Sequence, residues 1–432
     1  MKLSKSASGI LSARYRSVLL KCLLANLVLL PLPVSGTTIA SGMYENDDFI
    51  DDVEKNGGFK VNPVIKKAMQ ILDLDDKYLA KLTDKQLEAL DKIDDLLAEF
   101  DGDAKKQYQI MREVAPDLSK SVIHTSETTA KNIINVVSTR FNKPNSQPFS
   151  WNRYGGGHYY KQSRGRSGGG YEEGQGALWI QGLYNHAELR ETEGFSSDSA
   201  GFAAGIEGEV SDNFKAGFGY SYAATTIDSD RSDTDVYTHT GFVYAHFQPE
   251  QFYTNVFAGV GHSSYEDTTK TAQLESEYQT NTVSAQIAFG YAAPVLSPEA
   301  ALRFINTHQK AFTDALGAEL KAKSSVTATA VGGFKLSKRY YFRSNTAFSF
   351  VPELKAAVTY DFARSNQNRT VLLPNSASYV VETEKDKRFG VEAGAGFSLN
   401  FGNSGSLSLL YDGSFQGKLQ SHSAILNLKI NL

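Results

Sequence analysis

The sequence predicts an all-β C-terminal transmembrane barrel of about 12 antiparallel strands with a helix in its lumen, preceded by a small α-helical N-terminal segment. Three observations lead there. From residue 176 onward, apolar residues recur with a period of two. The alternate positions are largely Gly, Ser, Thr, Asn and Gln, with scattered charges. And Ser423 to Leu432 alternate to the last residue, with Ala424, Leu426, Leu428, Ile430 and Leu432 on one side and Asn427, Lys429 and Asn431 on the other.

The first 40 residues read as a secretory signal. Lys2, Lys5, Arg14, Arg16 and Lys21 form a basic stretch, Cys22–Val34 is apolar, and small residues follow from Ser35 to Ala40. The apolar run falls short of the roughly 20 residues a helical span needs, and Pro31 and Pro33 interrupt it. Cys22 is the single cysteine of the chain and lacks a lipobox context. The chain beyond the leader therefore has no disulfide, no thiolate metal ligand and no cysteine nucleophile. That composition suits passage through an oxidising compartment. A net charge of -4 gives no sign of nucleic-acid binding.

Residues 41–116 read as a short acidic helical segment. Residues 41–104 carry 17 Asp/Glu against 8 Lys/Arg, hence 8 - 17 = -9. Ile71, Leu74, Leu79 and Leu82 have helical spacing, and so do Leu87, Leu90, Ile93, Leu97 and Phe100. Thr83 with Gln86 forms a capping box for the second run. Such a hairpin buries little core by itself.

Residues 117–175 split into a helix and a linker. Pro116–Asp117 opens the helix and Pro144 ends it. Val122, Ile123, Ala130, Ile133, Ile134, Val137 and Phe141 form its stripe among small polar residues such as Ser126 and Thr128. A slim helix of this kind fits a polar tunnel. Two Gly triplets, 155–157 and 168–170, flank the basic stretch with Lys161, Arg164 and Arg166, which reads as linker.

Residues 176–432 are the barrel. Alternation is cleanest at Val283–Tyr291, Leu354–Phe362 and Phe389–Phe401. Short turns are expected at Asp212-Asn213, Pro249-Glu250 and residues 402–405, and long polar connections at Asp228–Asp235 and Ser365–Val380. A soluble sandwich would carry charges on its outer face. The small uncharged polar residues here suit a hydrated lumen, and Tyr340/Tyr341/Phe342 and Tyr360/Phe362 suit interfacial girdles.

The order of parts resembles a type V secretion autotransporter. Glu113–Ser119, continuing to Val137–Phe141, resembles the helix that threads such barrels. Ala177–Leu183, with Trp179, resembles their first strand, and Leu410–Phe415 resembles the tyrosine-aspartate-glycine strand near their end. The resemblance covers roughly residues 113–432. It implies an outer-membrane protein of a Gram-negative-type cell, a monomer in outer-membrane lipid, handled by barrel-assembly machinery and periplasmic chaperones. It implies an assembly signal at Leu426, Leu428, Ile430 and Leu432, and a lumen helix contacting the wall through Ser126, Ala130, Ile133, Ile134, Val137 and Arg140. The expected function is to anchor and display the N-terminal segment at the cell surface; the alternative is a non-exporting structural or adhesive barrel with periplasmic helices.

Three departures stand out. The chain ends in Leu432 rather than Phe or Trp. Asn132 and Asn135 are separated, so no Asn–Asn cleavage pair exists in the helix. The N-terminal segment is far shorter than a β-helical passenger. No catalytic, cofactor or metal site is expected. No H-E-x-x-H occurs, Gly219–Ala223 around Ser221 imitates a nucleophile elbow only in spelling, and Asp73, Asp75, Asp76 and Asp101-Gly102-Asp103 complete no calcium loop.

Overall fold

The computed structural model describes residues 46–141 and 176–432, apart from 118–119, 192, 212, 343–344, 366–367, 384 and 402–403. The expected leader and the Gly-rich linker over 142–175 lie outside the described residues.

Twelve long strands form the C-terminal part: β1 Gly176–Leu189, β2 Phe195–Ser211, β3 Phe214–Ser229, β4 Ser232–Phe247, β5 Phe252–Thr269 and β6 Glu275–Tyr291. They continue with β7 Leu296–Gln309, β8 Lys323–Ser337, β9 Asn345–Arg364, β10 Phe389–Phe401, β11 Gly405–Gln416 and β12 Leu419–Asn431. Each pairs antiparallel with its neighbours in sequence, and β12 returns to β1 from Ala177↔Asn431 to Leu189↔Leu419. The sheet is a closed barrel. Closure leaves no unpaired strand edge, which a lipid environment demands because it offers no water to the backbone.

Burial along the strands is inverted relative to a soluble sandwich. On β1, Leu178 and Ile180 are 47% and 51% exposed while Trp179 and Gln181, which alternate with them, are buried. The same holds at Val283, Phe289, Leu354, Val358 and Phe389, all exposed. An apolar surface of this extent is stable only against hydrocarbon. The polar alternates, such as Thr240, Thr280, Ser284 and Thr307, are buried toward the lumen.

One end of the barrel has mostly tight turns, and the other carries long connections over 309–323 and 364–389. At that end, the wide end for its long connections as the other is the narrow one, Phe312–Thr313, Glu319–Leu320, Arg369–Leu372 and Ser378–Val381 form a small four-stranded sheet. Asp228–Asp235 is not the long connection its polarity predicts. Strand β3 runs to Ser229, β4 resumes at Ser232, and Asp228 stands opposite Asp233 in the ladder. Strands that rise past the lipid have a polar outer face, so polarity there disguises a strand as a loop.

The N-terminal residues form five short helices: α1 Asn46–Gly57, α2 Pro63–Ala68, α3 Asp76–Leu79, α4 Asp84–Glu99 and α5 Ala104–Val114. Asn62 caps α2 ahead of a proline, and Asp103 caps α5. Thr83 and Gln86 make both bonds of the capping box on α4, at 3.3 and 2.9 Å. The run from Ile71 to Leu82 is broken instead of forming one helix: Met69–Asp73 is a 3-10 turn, Leu74 is extended, and α3 is a single turn. The helices' own apolar faces are not their whole core. Ile50, Ile65, Ile93 and Met111 pack in one cluster with Ala272, Leu274, Leu316, Leu320, Val371 and Val381 from the wide-end connections. The segment is a cap whose core is completed by the barrel's loops.

The last helix, α6, runs from Ser121 to Phe141 and starts later than Pro116–Asp117 predicts. Lys120 before it has φ +58°, a left-handed turn that bends the chain from cap into barrel.

Candidate functional site: a barrel lumen filled by one helix

Helix α6 packs against the inner wall on β1, β2, β5, β6, β7 and β12. Its two halves meet different surroundings. Near the wide end, Ser126 is buried and its hydroxyl lies 3.1 Å from that of Tyr265. Tyr265 stacks on Tyr278, and Tyr278 on Phe312. Toward the narrow end, Ile133, Ile134 and Val137 are buried in a cluster with Trp179, Phe242, Tyr244, Phe257 and Ile425. Ala130 is buried midway. Arg140 belongs to α6, but its side chain lies outside the described residues.

The apolar lower lumen was not foreseen. A hydrated tunnel was expected throughout, and inward aromatics look in sequence like any other strand residue. Trp179 is the exception that carried a signal. It is 1% exposed, and its indole Nε1 donates to the Tyr244 hydroxyl at 2.7 Å. Tyr244 in turn donates to Glu207 at 3.2 Å. Ser423 on β12 donates to Asn132 Oδ1 at 2.8 Å, and Gln181 reaches the Val136 carbonyl at 3.5 Å.

The strongest ties between helix and wall are ionic. Glu127 on α6 is 3% exposed and accepts from Thr327 on β8 at 2.6 Å and from Arg364 on β9 at 3.1 Å. Arg364 also meets Asp361 at 2.8 Å and Asp386 at 3.0 Å. Asp386 closes the set on Lys120 at 2.8 Å and faces His124 Nε2 at 3.5 Å. Burial pushes the Asp386 carboxyl up, but His124, Arg364 and Lys120 outweigh that and hold it well below the usual carboxylate range. A second set crosses the wall beneath, with Arg303 on Glu392 at 3.0 Å and Lys355 on Asp412 at 2.5 Å. Charges this buried are costly to strand: removing one partner typically costs about 3–5 kcal/mol.

Cap and rim are joined as specifically. Buried Glu113, at the end of α5, accepts from the backbone N–H groups of Thr271 and Ala272 at 2.7 and 2.8 Å. Arg112 reaches Glu193 at 2.5 Å in the connection after β1. Arg231 donates to the Ala115 carbonyl at 2.8 Å while paired with Asp267 at 2.9 Å. Glu113 lies in the stretch that carried the family resemblance. Arg112, Glu127, Arg231 and Arg364 went unnoticed, because a charged residue on a helix or strand reads in sequence as a solvated one.

The cavity left where α6 meets the wide-end mouth is about 70 Å³, room for a few waters. With the helix in place, that cavity offers no passage to a second chain. Ser221 lies mid-strand in β3, followed by more strand and not by a helix. Among the described residues, no group of three or more His, Cys, Asp or Glu is placed to hold a metal ion.

The model of the autotransporter beta-domain family matches residues 178–412, just over half of the 432-residue chain. No curated protein matches the chain. Among solved structures, the barrel resembles the translocator domain of the autotransporter NalP from Neisseria meningitidis. That likeness has 14% identity and a TM-score of 0.55, covering 73% of this chain and 99% of that one. The transport unit of AIDA-I from Escherichia coli is similar at 12% identity and a TM-score of 0.45, over 71% of this chain and 98% of that one. Likeness at such identity concerns the fold alone.

Proposed function

The chain belongs to the autotransporter beta-domain family, and from that membership we propose that it is a translocator barrel that displays its own N-terminal segment. In this reading, residues 41–116 pass outward through the outer membrane and stay at the cell surface as the cap. Helix α6 remains in the lumen as tether and plug. The C-terminal strand residues Leu426, Leu428, Ile430 and Leu432 serve barrel-assembly machinery as the recognition signal, and periplasmic chaperones protect the chain before insertion. The protein acts as a monomer with lipid as its main partner, and the work is anchoring and display, without catalysis.

What supports the reading is the core that the helices share with the wide-end connections. A segment held on the opposite side of the membrane could not share it. The polarity of α6 agrees, since its first residues meet the wide-end mouth and its last turns meet Trp179 toward the narrow end. Long connections on one side and short turns on the other match the outer and inner sides of outer-membrane barrels.

The absence of cysteine beyond Cys22 makes the test simple. Lys85 and Glu99 on α4 are exposed. Lys85→Cys and Glu99→Cys should react with a membrane-impermeant maleimide on intact cells. Labelling only after the outer membrane is permeabilised would favour the non-exporting alternative.

A further inference from the structure

Two cations at the wide-end mouth line the same cavity with no carboxylate in ion-pair reach. Arg369, in the connection after β9, and Lys323, the first residue of β8, both border the space of about 70 Å³ beside α6. Among the described residues, neither makes an ion pair. Lys323 stands opposite Gln309 of β7 in the ladder, and Ser325 stands opposite Thr307, so these side chains share the inward face of adjacent strands. The Arg369 guanidinium donates to Gln309 Oε1. A guanidinium can only donate, so this bond fixes how the amide is turned and leaves its Nε2 as a spare donor. That Nε2 has no partner among the described residues, and neither has the Ser325 hydroxyl, although Gln309 and Ser325 are 1% and 3% exposed. Both residues line the cavity.

The acids of the same lining are answered from within the protein. Asp267 pairs with Arg231 at 2.9 Å and accepts from Thr234 at 2.7 Å. Asp314 accepts from the backbone N–H groups of Leu316 and Ala318 at 3.0 and 2.9 Å, and burial pushes its carboxyl up to about 6. Asp117 accepts from the Ser121 hydroxyl at 2.8 Å. Lys120 is held by Asp386 at 2.8 Å and Glu191 at 3.1 Å. Arg369 has no such answer. Burial pulls its guanidinium below the ordinary value, and the charges of Tyr278 and Asp117 do not make up the difference. A buried cation and two buried polar atoms without partners each cost free energy that an acceptor-rich ligand recovers.

We propose that this cavity binds one small tetrahedral oxyanion, free phosphate or sulfate, between the Arg369 guanidinium, the Lys323 ammonium, the Gln309 amide and the Ser325 hydroxyl. At about 10–15 Å³ for each water-sized centre, the space admits about five of them, as many as such an ion has heavy atoms. The guanidinium fork takes two oxygens and leaves the other two to the remaining donors. Arg369 belongs to the small wide-end sheet, whereas Lys323, Gln309 and Ser325 belong to the barrel wall. The anion therefore ties the connection over 364–389 to the wall beside the start of α6. The inference needs only the folded barrel with its helix in place, so it stands or falls apart from the export of residues 41–116.

The test is equilibrium dialysis of the full, folded chain in a maltoside detergent against radiolabelled sulfate, with ionic strength held constant by chloride. One sulfate per chain should bind saturably, and inorganic phosphate should displace it. Arg369→Gln and Lys323→Gln should each weaken binding by about tenfold or more, and Ser325→Ala by less. Lys321→Gln, which removes a cation paired with Glu319 outside the cavity, should leave binding unchanged. Lys323→Gln and Ser325→Ala carry the test if Arg369→Gln does not fold. At about ten times its dissociation constant, sulfate should slow proteinase K cleavage of the 364–389 connection by about tenfold relative to chloride, and Arg369→Gln should abolish that protection. No saturable uptake, uptake unchanged in the Arg369 and Lys323 variants, or equal displacement by chloride would each overturn the proposal. So would stronger displacement by dihexanoyl phosphatidylglycerol than by inorganic phosphate, since the occupant would then be a lipid headgroup.

Discussion

Arg364 illustrates how much a single buried side chain settles here. It faces Glu127 on the helix, Asp361 on its own strand and Asp386 on a wide-end connection. Replacing it takes a cation from three carboxylates at once, of which, among the described residues, Asp386 alone keeps an ion pair, with Lys120, whereas replacing Glu127 leaves the arginine two partners. Arg364→Met should therefore cost about 3–5 kcal/mol and free the helix, while Glu127→Gln should cost clearly less. Channel conductance in planar bilayers reads this directly, with frequent large openings expected for Arg364→Met alone. Asp94 on α4 is a second case. Burial, then Asp91, Asp95 and Asp73, push its carboxyl up to about 6. An acid raised in the folded state binds its proton more readily there than when unfolded. The cap should thus gain stability as pH falls from 7 toward 4, and lose that gain as pH rises through 6. Asp94→Asn should protect the cap at pH 7 by about 1–2 kcal/mol, a figure reduced for its partial exposure, and flatten its protease resistance between pH 7 and 5. An unchanged pH response in the variant would place the effect elsewhere.

At the scale of elements, strands were the most legible and short helices the least. A period of two held over a dozen residues, as in Phe389–Phe401, leaves little room for another assignment, because a slip of one residue would turn every lipid-facing side chain inward. The same logic fails beyond the lipid, where Asp228 and Asp233 face water on both sides of a hairpin. Helix α6 was visible from its stripe, but its ionic contacts were not, since Glu127 and Arg364 are separated by most of the chain. Ile71 to Leu82 misled because helical spacing says nothing of the turns that loop packing imposes on it. Strand β12 gives a graded test. Leu426 lies deeper in the band than Ile430, two residues from the chain's end. Leu426→Arg should cost about 2–4 kcal/mol of barrel stability and Ile430→Arg about 1 or less. Urea unfolding in lipid vesicles measures both, and equal penalties would contradict the depth assigned to them.

For the whole molecule, sheet closure and lumen filling are two separate contributions. The outer face needs lipid, whereas the inner face is completed by the protein's own helix. The family and barrel were readable because lipid imposes a repeating demand on every strand. The joining of cap to rim was not, since Glu113 and the backbone of Thr271 and Ala272 meet only through the folded chain. That joining also constrains the order of events. A third of the cluster around Ile93 and Met111 comes from segments near Leu274, Leu316 and Val371, which come together only once all twelve staves are in place. Before then the helices at the front of the chain lack that third of their core, so their packing is finished only when the barrel behind them is.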